Sequence, residues 1–136
     1  MEERNCLILT QYRSDSDYND FLGKYYHFPA TSSKNYLNQF SQLPIEVVYY
    51  EPDKKGEGVF YAYGKITKPP FIDKKTVDHY FVEISDFKLF SNPVSFKDEK
   101  GEILEKTQNT EFYDYNDAVR KVKPQFLDEL CLDGGI

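Results

Sequence analysis

Two histidines, His27 and His79, and two cysteines, Cys6 and Cys131, are the groups best suited to nucleophilic or general-base chemistry near neutral pH. A Ser-His-Asp or Cys-His hydrolase needs its base held by an orienting group. Neither cysteine stands in a glycine-rich or helix-opening context. A zinc site needs about four ligands, and the chain has no CxxC, HxxxH or HExxH spacing. There is no GxGxxG and no Walker loop to cradle phosphates. Asp15, Asp17 and Asp20 begin like a calcium loop, but the glycine and the closing bidentate Glu are missing. They read as a solvated acidic loop. A small enzyme using His27 as a base is the one catalytic reading left. No metal or cofactor is expected.

What remains is aromatic. Tyr25-Tyr26-His27-Phe28-Pro29 and Val47-Val48-Tyr49-Tyr50-Glu51 each crowd rings and a titratable group into five positions. Tyr61 and Tyr63 add two more rings from a third segment. Such rings pack a core through cross-strand pairs, or they hold a flat ligand. Flat bases are held by stacking and read by hydrogen bonds to their edges. His27, Glu51 and the tyrosine hydroxyls are groups that make such bonds. Alternation along a strand sends about half the rings inward, so both readings stand. Lys65, Lys68, Lys74 and Lys75 against Asp73 form one basic stretch, and Arg120, Lys121 and Lys123 another. Both suit phosphate contacts, and both suit solvated loops.

The elements that must position these residues read as follows. Residues 6–10 are a short buried strand. Asp15 to Gly23 is a loop or short helix. Pro29 keeps Phe28 extended, so residues 24–28 are extended too. Thr31 to Phe40 offers a helical turn or two, closed by Pro44. Ile45 to Glu51 is a strong strand, returning through the charged loop at residues 53–58 into Val59 to Ile66. Small residues at Ala62 and Gly64 imply close approach of another backbone or a ligand. Asp78 to Ile84 is a further strand. Phe87 to Phe90 is short, and Asn92-Pro93 makes a turn. Asp98 to Glu102 is a second hairpin loop. Phe126, Leu127 and Leu130 mark a terminal helix, and residues 131–136 read as a linker or cut end. The sum is a single α+β domain over residues 1–136: a small, curved β-barrel of about five to seven mostly antiparallel strands flanked by short helices.

The totals fit one domain. The 136 residues are 40% hydrophobic and 29% charged, enough to bury a core. Aromatic residues reach 17%, from 12 Tyr and 11 Phe with no Trp. A net charge of -6 argues against a general nucleic-acid binder but leaves room for a local basic face. Two cysteines are too few for a disulfide framework. No signal peptide is legible, and no apolar run approaches the roughly 20 residues that span a bilayer. The expected location is the cytoplasm, with no membrane partner.

Tyr26-His27-Phe28-Pro29, Tyr36, Val47 to Glu51, Gly58 to Ile66 and Tyr80 to Asp86 together resemble the EVE-like domains of the PUA superfamily. They are most similar to those ahead of HNH nucleases in modification-dependent restriction enzymes. Asp117-Ala118-Val119-Arg120, then Phe126 and Leu130, resembles the exit of such a domain. The resemblance covers roughly residues 24–130. It implies a module that flips a modified DNA base into an aromatic pocket, in defence against phage, with a fused or associated nuclease doing the cutting. It implies that Tyr26, His27 and Phe28 line the pocket, and that Tyr49, Tyr50 and Glu51 form its floor or rim. With Tyr61 and Tyr63 these make eight pocket residues. Lys65, Lys68, Lys74, Lys75, Arg120 and Lys121 are the expected phosphate contacts, with Arg120 alternatively bracing the strands. The family's usual Gly-Asp before the central strand is replaced here by Leu43-Pro44-Ile45-Glu46, and Tyr or Phe must stand in for a Trp cage wall. An RNA-binding PUA-like module and a protein-interaction domain without nucleic acid are the alternatives.

Overall fold

The apolar run Cys6-Leu7-Ile8-Leu9 is buried on both sides, and the fold is built outward from it. The computed structural model describes residues 4–13, 22–29, 40–52, 58–75, 78–102, 104 and 119–136. Strand β1 (Asn5–Thr10) lies between β3 (Ile45–Glu51), to which it is parallel, and β8 (Val119–Val122), to which it is antiparallel. Strands β4 (Val59–Ile66) and β7 (Ser85–Ser95) continue the sheet antiparallel, giving the order β7-β4-β3-β1-β8. A second sheet has the order β2-β6-β5, from β2 (Tyr25–Pro29), β6 (His79–Glu83) and β5 (Phe71–Ile72). The helix α1 (Pro124–Asp133) follows β8.

Two cores result. Leu7 and Leu9, with Val47, Tyr49, Tyr61 and Ala62, face the inner side of the small sheet, where Tyr26, Phe28 and Val82 meet them. Cys6 and Ile8, with Val48, Tyr50 and Phe60, face Phe126, Leu127 and Leu130 of α1. A strand covered on both faces needs an unbroken apolar run rather than an alternating one, which is what β1 has. Pro124 opens α1 where a missing N–H costs nothing.

Four expectations change here. Among the described residues the strands make two sheets, of five and three strands, and no closed barrel. The turn expected at Asn92-Pro93 lies inside the 11-residue β7. Proline is tolerated there because β7 is an edge strand with irregular register to β4. Residues 131–136 are docked, not a linker. Residues 131–133 finish α1, the Gly134 carbonyl accepts bonds from Asn92 N (3.1 Å) and Ser91 Oγ (3.2 Å), and a Cβ on Gly134 would strike the Phe90 ring. The space at Gly64 is filled by a side chain rather than a ligand: a Cβ there would come within 2.8 Å of Ile84 Cγ2.

Other expectations hold. The β3–β4 hairpin and the terminal helix form as read. Asp98 Oδ1 closes the second hairpin loop on the backbone of Lys100 and Glu102. The helical turns expected in residues 31–39, and the loops at 15–21 and 53–57, lie outside the described residues. No described helix is long and apolar enough to cross a membrane.

Candidate functional site

The carboxyl ends of β1 and β3 lie side by side, because the two strands are parallel and Thr10 pairs with Tyr50. Gln11 N donates to Tyr50 O at 3.0 Å, carrying the pairing one step past β1. Arg13 then reaches Glu51 with three N–H groups, at 2.6 Å from its backbone and 3.0 and 2.7 Å from its guanidinium. The same guanidinium lies 5.0 Å from the Tyr61 ring centre, covering its face. Guanidinium over a tyrosine ring is a cation–π contact, and it occupies the kind of place a flat base takes.

Three tyrosines gather beneath this pair. Tyr61 Oη donates to Gln11 O at 2.7 Å, and Tyr26 Oη to Thr10 O at 3.3 Å. The Tyr49 hydroxyl is fully buried with no hydrogen-bond partner among the described residues. Burial pushes the Tyr49 phenol well above its ordinary pKa, and the neighbouring Tyr61 and Tyr26 add to the shift. Burial, then Glu51, raises Tyr61, with Arg13 opposing. Tyr61 reaches the inner face through a β-bulge: Tyr49 pairs with Ala62 and Tyr50 with Phe60, leaving Tyr61 as the extra residue.

Of the eight expected pocket residues, Tyr26, Tyr49, Glu51 and Tyr61 converge here. The others go elsewhere. Phe28 is buried against Phe40, with ring centres 4.6 Å apart. Tyr50 faces α1 beneath Arg120. Tyr63 turns to the same side and donates to Glu46 at 3.3 Å. His27 and Glu51 do not share a cavity. His27 stands on the outer face of the small sheet, because Tyr26 and Phe28 on either side of it point inward.

That outer face is a second cluster. His27 Nε2 is 2.9 Å from Asp73 Oδ2, and the His27 ring lies 4.5 Å from Phe81 and 4.9 Å from His79. Tyr25, Phe71, Asp73, Lys74, Lys75 and Phe81 line a cavity of about 320 Å³ beside it. The His27–Asp73 pair is half of an oriented-base arrangement, but no described thiol joins it. Burial pushes Cys6 up to about 12 and Cys131 to about 11, which makes both poor nucleophiles. No group of three His, Cys, Asp or Glu among the described residues is arranged to hold a metal.

The expected phosphate contacts form no single row. Arg120 is buried, 5.1 Å over the Tyr50 ring and 3.4 Å from Thr10 Oγ1, so it braces strands. Lys65 lies 3.9 Å from Asp86, and Lys68 3.1 Å from Glu83. Lys121 is exposed on β8. Lys74 and Lys75 flank the outer-face cavity. A larger groove of about 650 Å³ lies at the opposite, amino ends of β1 and β3. Its charges already answer one another, since Arg4 binds both Glu46 (2.7 Å) and Asp128 (2.8 Å).

Gln11 and Arg13 were not expected. Their one signal in the sequence is position: they follow the apolar run Cys6-Leu7-Ile8-Leu9 just after Thr10.

No family model matches the sequence. No curated protein matches it either. Solved structures do. Rpa0253 from Rhodopseudomonas palustris, solved by NMR, superposes with a TM-score of 0.67 over 96% of this chain and 93% of its own, at 14% identity. The crystal structure of Atu2648 from Agrobacterium tumefaciens gives 0.59 over 97% and 94%, at 16% identity. At these identities the likeness shows a shared fold.

Proposed function

We propose that this chain is a DNA-binding module of PUA/EVE-like type that reads a modified base at the carboxyl ends of β1 and β3. The observation that carries the reading is the convergence of Tyr26, Tyr49, Tyr61 and Glu51 with Gln11 and Arg13 at one edge of the large sheet. In this reading the Arg13 guanidinium keeps the place of the base. A flipped base takes the Tyr61 face, and Glu51 accepts hydrogen bonds from an amino group on the base edge. Flipping costs about a few kcal/mol, which stacking offsets. The chain itself catalyses nothing. It serves as the specificity part of a modification-dependent restriction system in the cytoplasm, and a fused or associated nuclease cuts.

The test is a binding series on duplexes carrying 5-methylcytosine, 5-hydroxymethylcytosine, glucosylated cytosine, N6-methyladenine or phosphorothioate, beside plain DNA. One modified duplex is expected to bind at least about tenfold tighter than plain DNA, the scale of a lost hydrogen bond to a charged group. Glu51→Gln removes that preference and leaves weak, salt-sensitive binding. No preference in the wild type, or equal loss on both DNAs in the variant, would sink the assignment. The net charge of -6 favours a second reading, a protein-interaction domain. Failure to bind heparin at low salt would support it.

A further inference from the structure

The outer face of the small sheet takes no part in the strand-end site, yet it carries the most exposed aromatic surface described. Phe71, which pairs with Phe81 and so shares this face, is 46% exposed on the edge strand β5. Phe71 and Phe81 stack with ring centres 5.7 Å apart at 27°, and Tyr25 stands edge-on to Phe71 at 5.7 Å. The rings wall an apolar cavity of about 320 Å³, at the small end of the range of ligand sites. Lys74 and Lys75 stand at its rim. Asp73, the carboxylate between them and the rings, is turned away: one oxygen meets His27 and the other the backbone N–H of Lys75. That leaves two adjacent ammonium groups, both exposed, with no carboxylate partner among the described residues.

We infer that this face holds one unpaired nucleotide of a nucleic-acid strand, its base on Phe71 and Tyr25 and its phosphate on Lys74 and Lys75. Charge and shape choose the occupant together. Flat rings suit a base, and every base has a π-face, so binding here is indifferent to modification. Paired cations a short reach from the rings suit a phosphodiester. An acidic peptide would use the lysines but brings a planar group only where its sequence holds an aromatic residue or Arg, whereas every nucleotide carries a flat base beside its phosphate. The inference rests on the reading of the chain as a nucleic-acid binder, and deepens it by giving the strand beside a flipped base a second hold. It uses no residue of the strand-end site.

Fluorescence anisotropy with labelled twelve-residue oligodeoxythymidine and oligouridine, at low salt, tests it. The wild type should bind, and the two probes decide between DNA and RNA as the source of the strand. Phe71→Ala should weaken binding about tenfold, as the loss of one stacked base does. Lys74→Glu with Lys75→Glu should weaken it further and flatten the salt dependence. All three positions are exposed, and circular dichroism melting checks that the fold survives. Amide chemical-shift changes on titrating the wild type should centre on residues 25, 27, 71–75 and 81. Absence of oligonucleotide binding, undiminished binding by both variants, or shifts centred on another surface overturns the inference. So does preferential binding of an acidic peptide mixture. Preference for a modified duplex without oligonucleotide binding overturns this inference and leaves the strand-end reading standing. Oligonucleotide binding without that preference does the reverse.

Discussion

The two faces of the three-stranded sheet carry similar side chains and serve opposite ends. The inner face presents Tyr26, Phe28 and Val82 to the large sheet, and all three are buried. The outer face presents Tyr25, His27 and Phe81, and none of these is fully buried. Residues alternate between the two from one position to the next, because a strand turns its side chains over with a period of two. The composition of a stretch such as Tyr25 to Pro29 therefore does not say what it does. What covers each face decides it.

The largest contrast is in stability. Phe28 is 1% exposed, with Phe40 and Tyr80 as ring neighbours. Phe28→Ala should cost about 3–5 kcal/mol, since a cavity is left between two sheets that cannot close on it. Phe71→Ala should cost about 1 kcal/mol or less, the worth of its ring contacts on an exposed edge. Urea unfolding of both variants decides. Similar losses would mean that the outer face is a covered core in solution.

That contrast also explains what was legible in the sequence. The β3–β4 hairpin announced itself through β-branched and aromatic residues between Pro44 and Pro52 and a glycine-marked loop. Pro124 and the spacing of Phe126, Leu127 and Leu130 announced α1. Three things were hidden. Asn92-Pro93 looks like a turn and is part of an edge strand, because edge status depends on neighbours the local text does not name. The parallel pairing of β1 with β3 joins segments separated by a long connection, and it alone makes a site of Gln11, Arg13 and Glu51. The bulge at Tyr61 puts Tyr61 and Ala62 on one face and defeats alternation. Tyr49 and Tyr50 look alike on paper, but they point into different cores, so Tyr49→Ala and Tyr50→Ala would report on stability before binding.

Subtler variants sharpen the comparison inside the tyrosine cluster. Tyr61→Phe removes the buried 2.7 Å hydrogen bond to the Gln11 carbonyl, at a cost of about 1 kcal/mol. Tyr49→Phe removes a buried hydroxyl with no described partner, so stability should hold or rise by up to about 1 kcal/mol. A clear loss for Tyr49→Phe in thermal or urea unfolding would reveal a partner for that hydroxyl and redraw the cluster.

A smaller effect, outside both faces, sets the scale for charge. Arg4 joins Glu46 on β3 to Asp128 on α1, and its hydrogen bond holds the Asp128 carboxyl below the usual 3.8. A carboxyl whose pKa is depressed in the folded state stabilises the fold above its unfolded pKa. That contribution fades as pH falls through the folded value. Asp128 is well exposed, so Arg4→Ala should cost no more than about 1 kcal/mol at neutral pH. The gap between variant and wild type should narrow below about pH 4. A gap that is constant with pH would assign the loss to the packing of the Arg4 stem instead.

The smallest stability change should come from the outer face itself, and there it is most informative. Glu83 pairs with Tyr25 across the strands and holds Lys68 at 3.1 Å, with both side chains well exposed. Glu83→Gln should shift unfolding by no more than about 0.5 kcal/mol. It also removes a negative charge beside the rings and releases Lys68 toward any phosphate laid across them. Oligonucleotide affinity should therefore rise, with a steeper dependence on salt, because one more cation takes part in counterion release. On the inner face no single charge could be changed with so little effect on folding. If Glu83→Gln leaves both affinity and salt slope untouched, the outer face is not where a strand lies, and its exposed rings need a different partner.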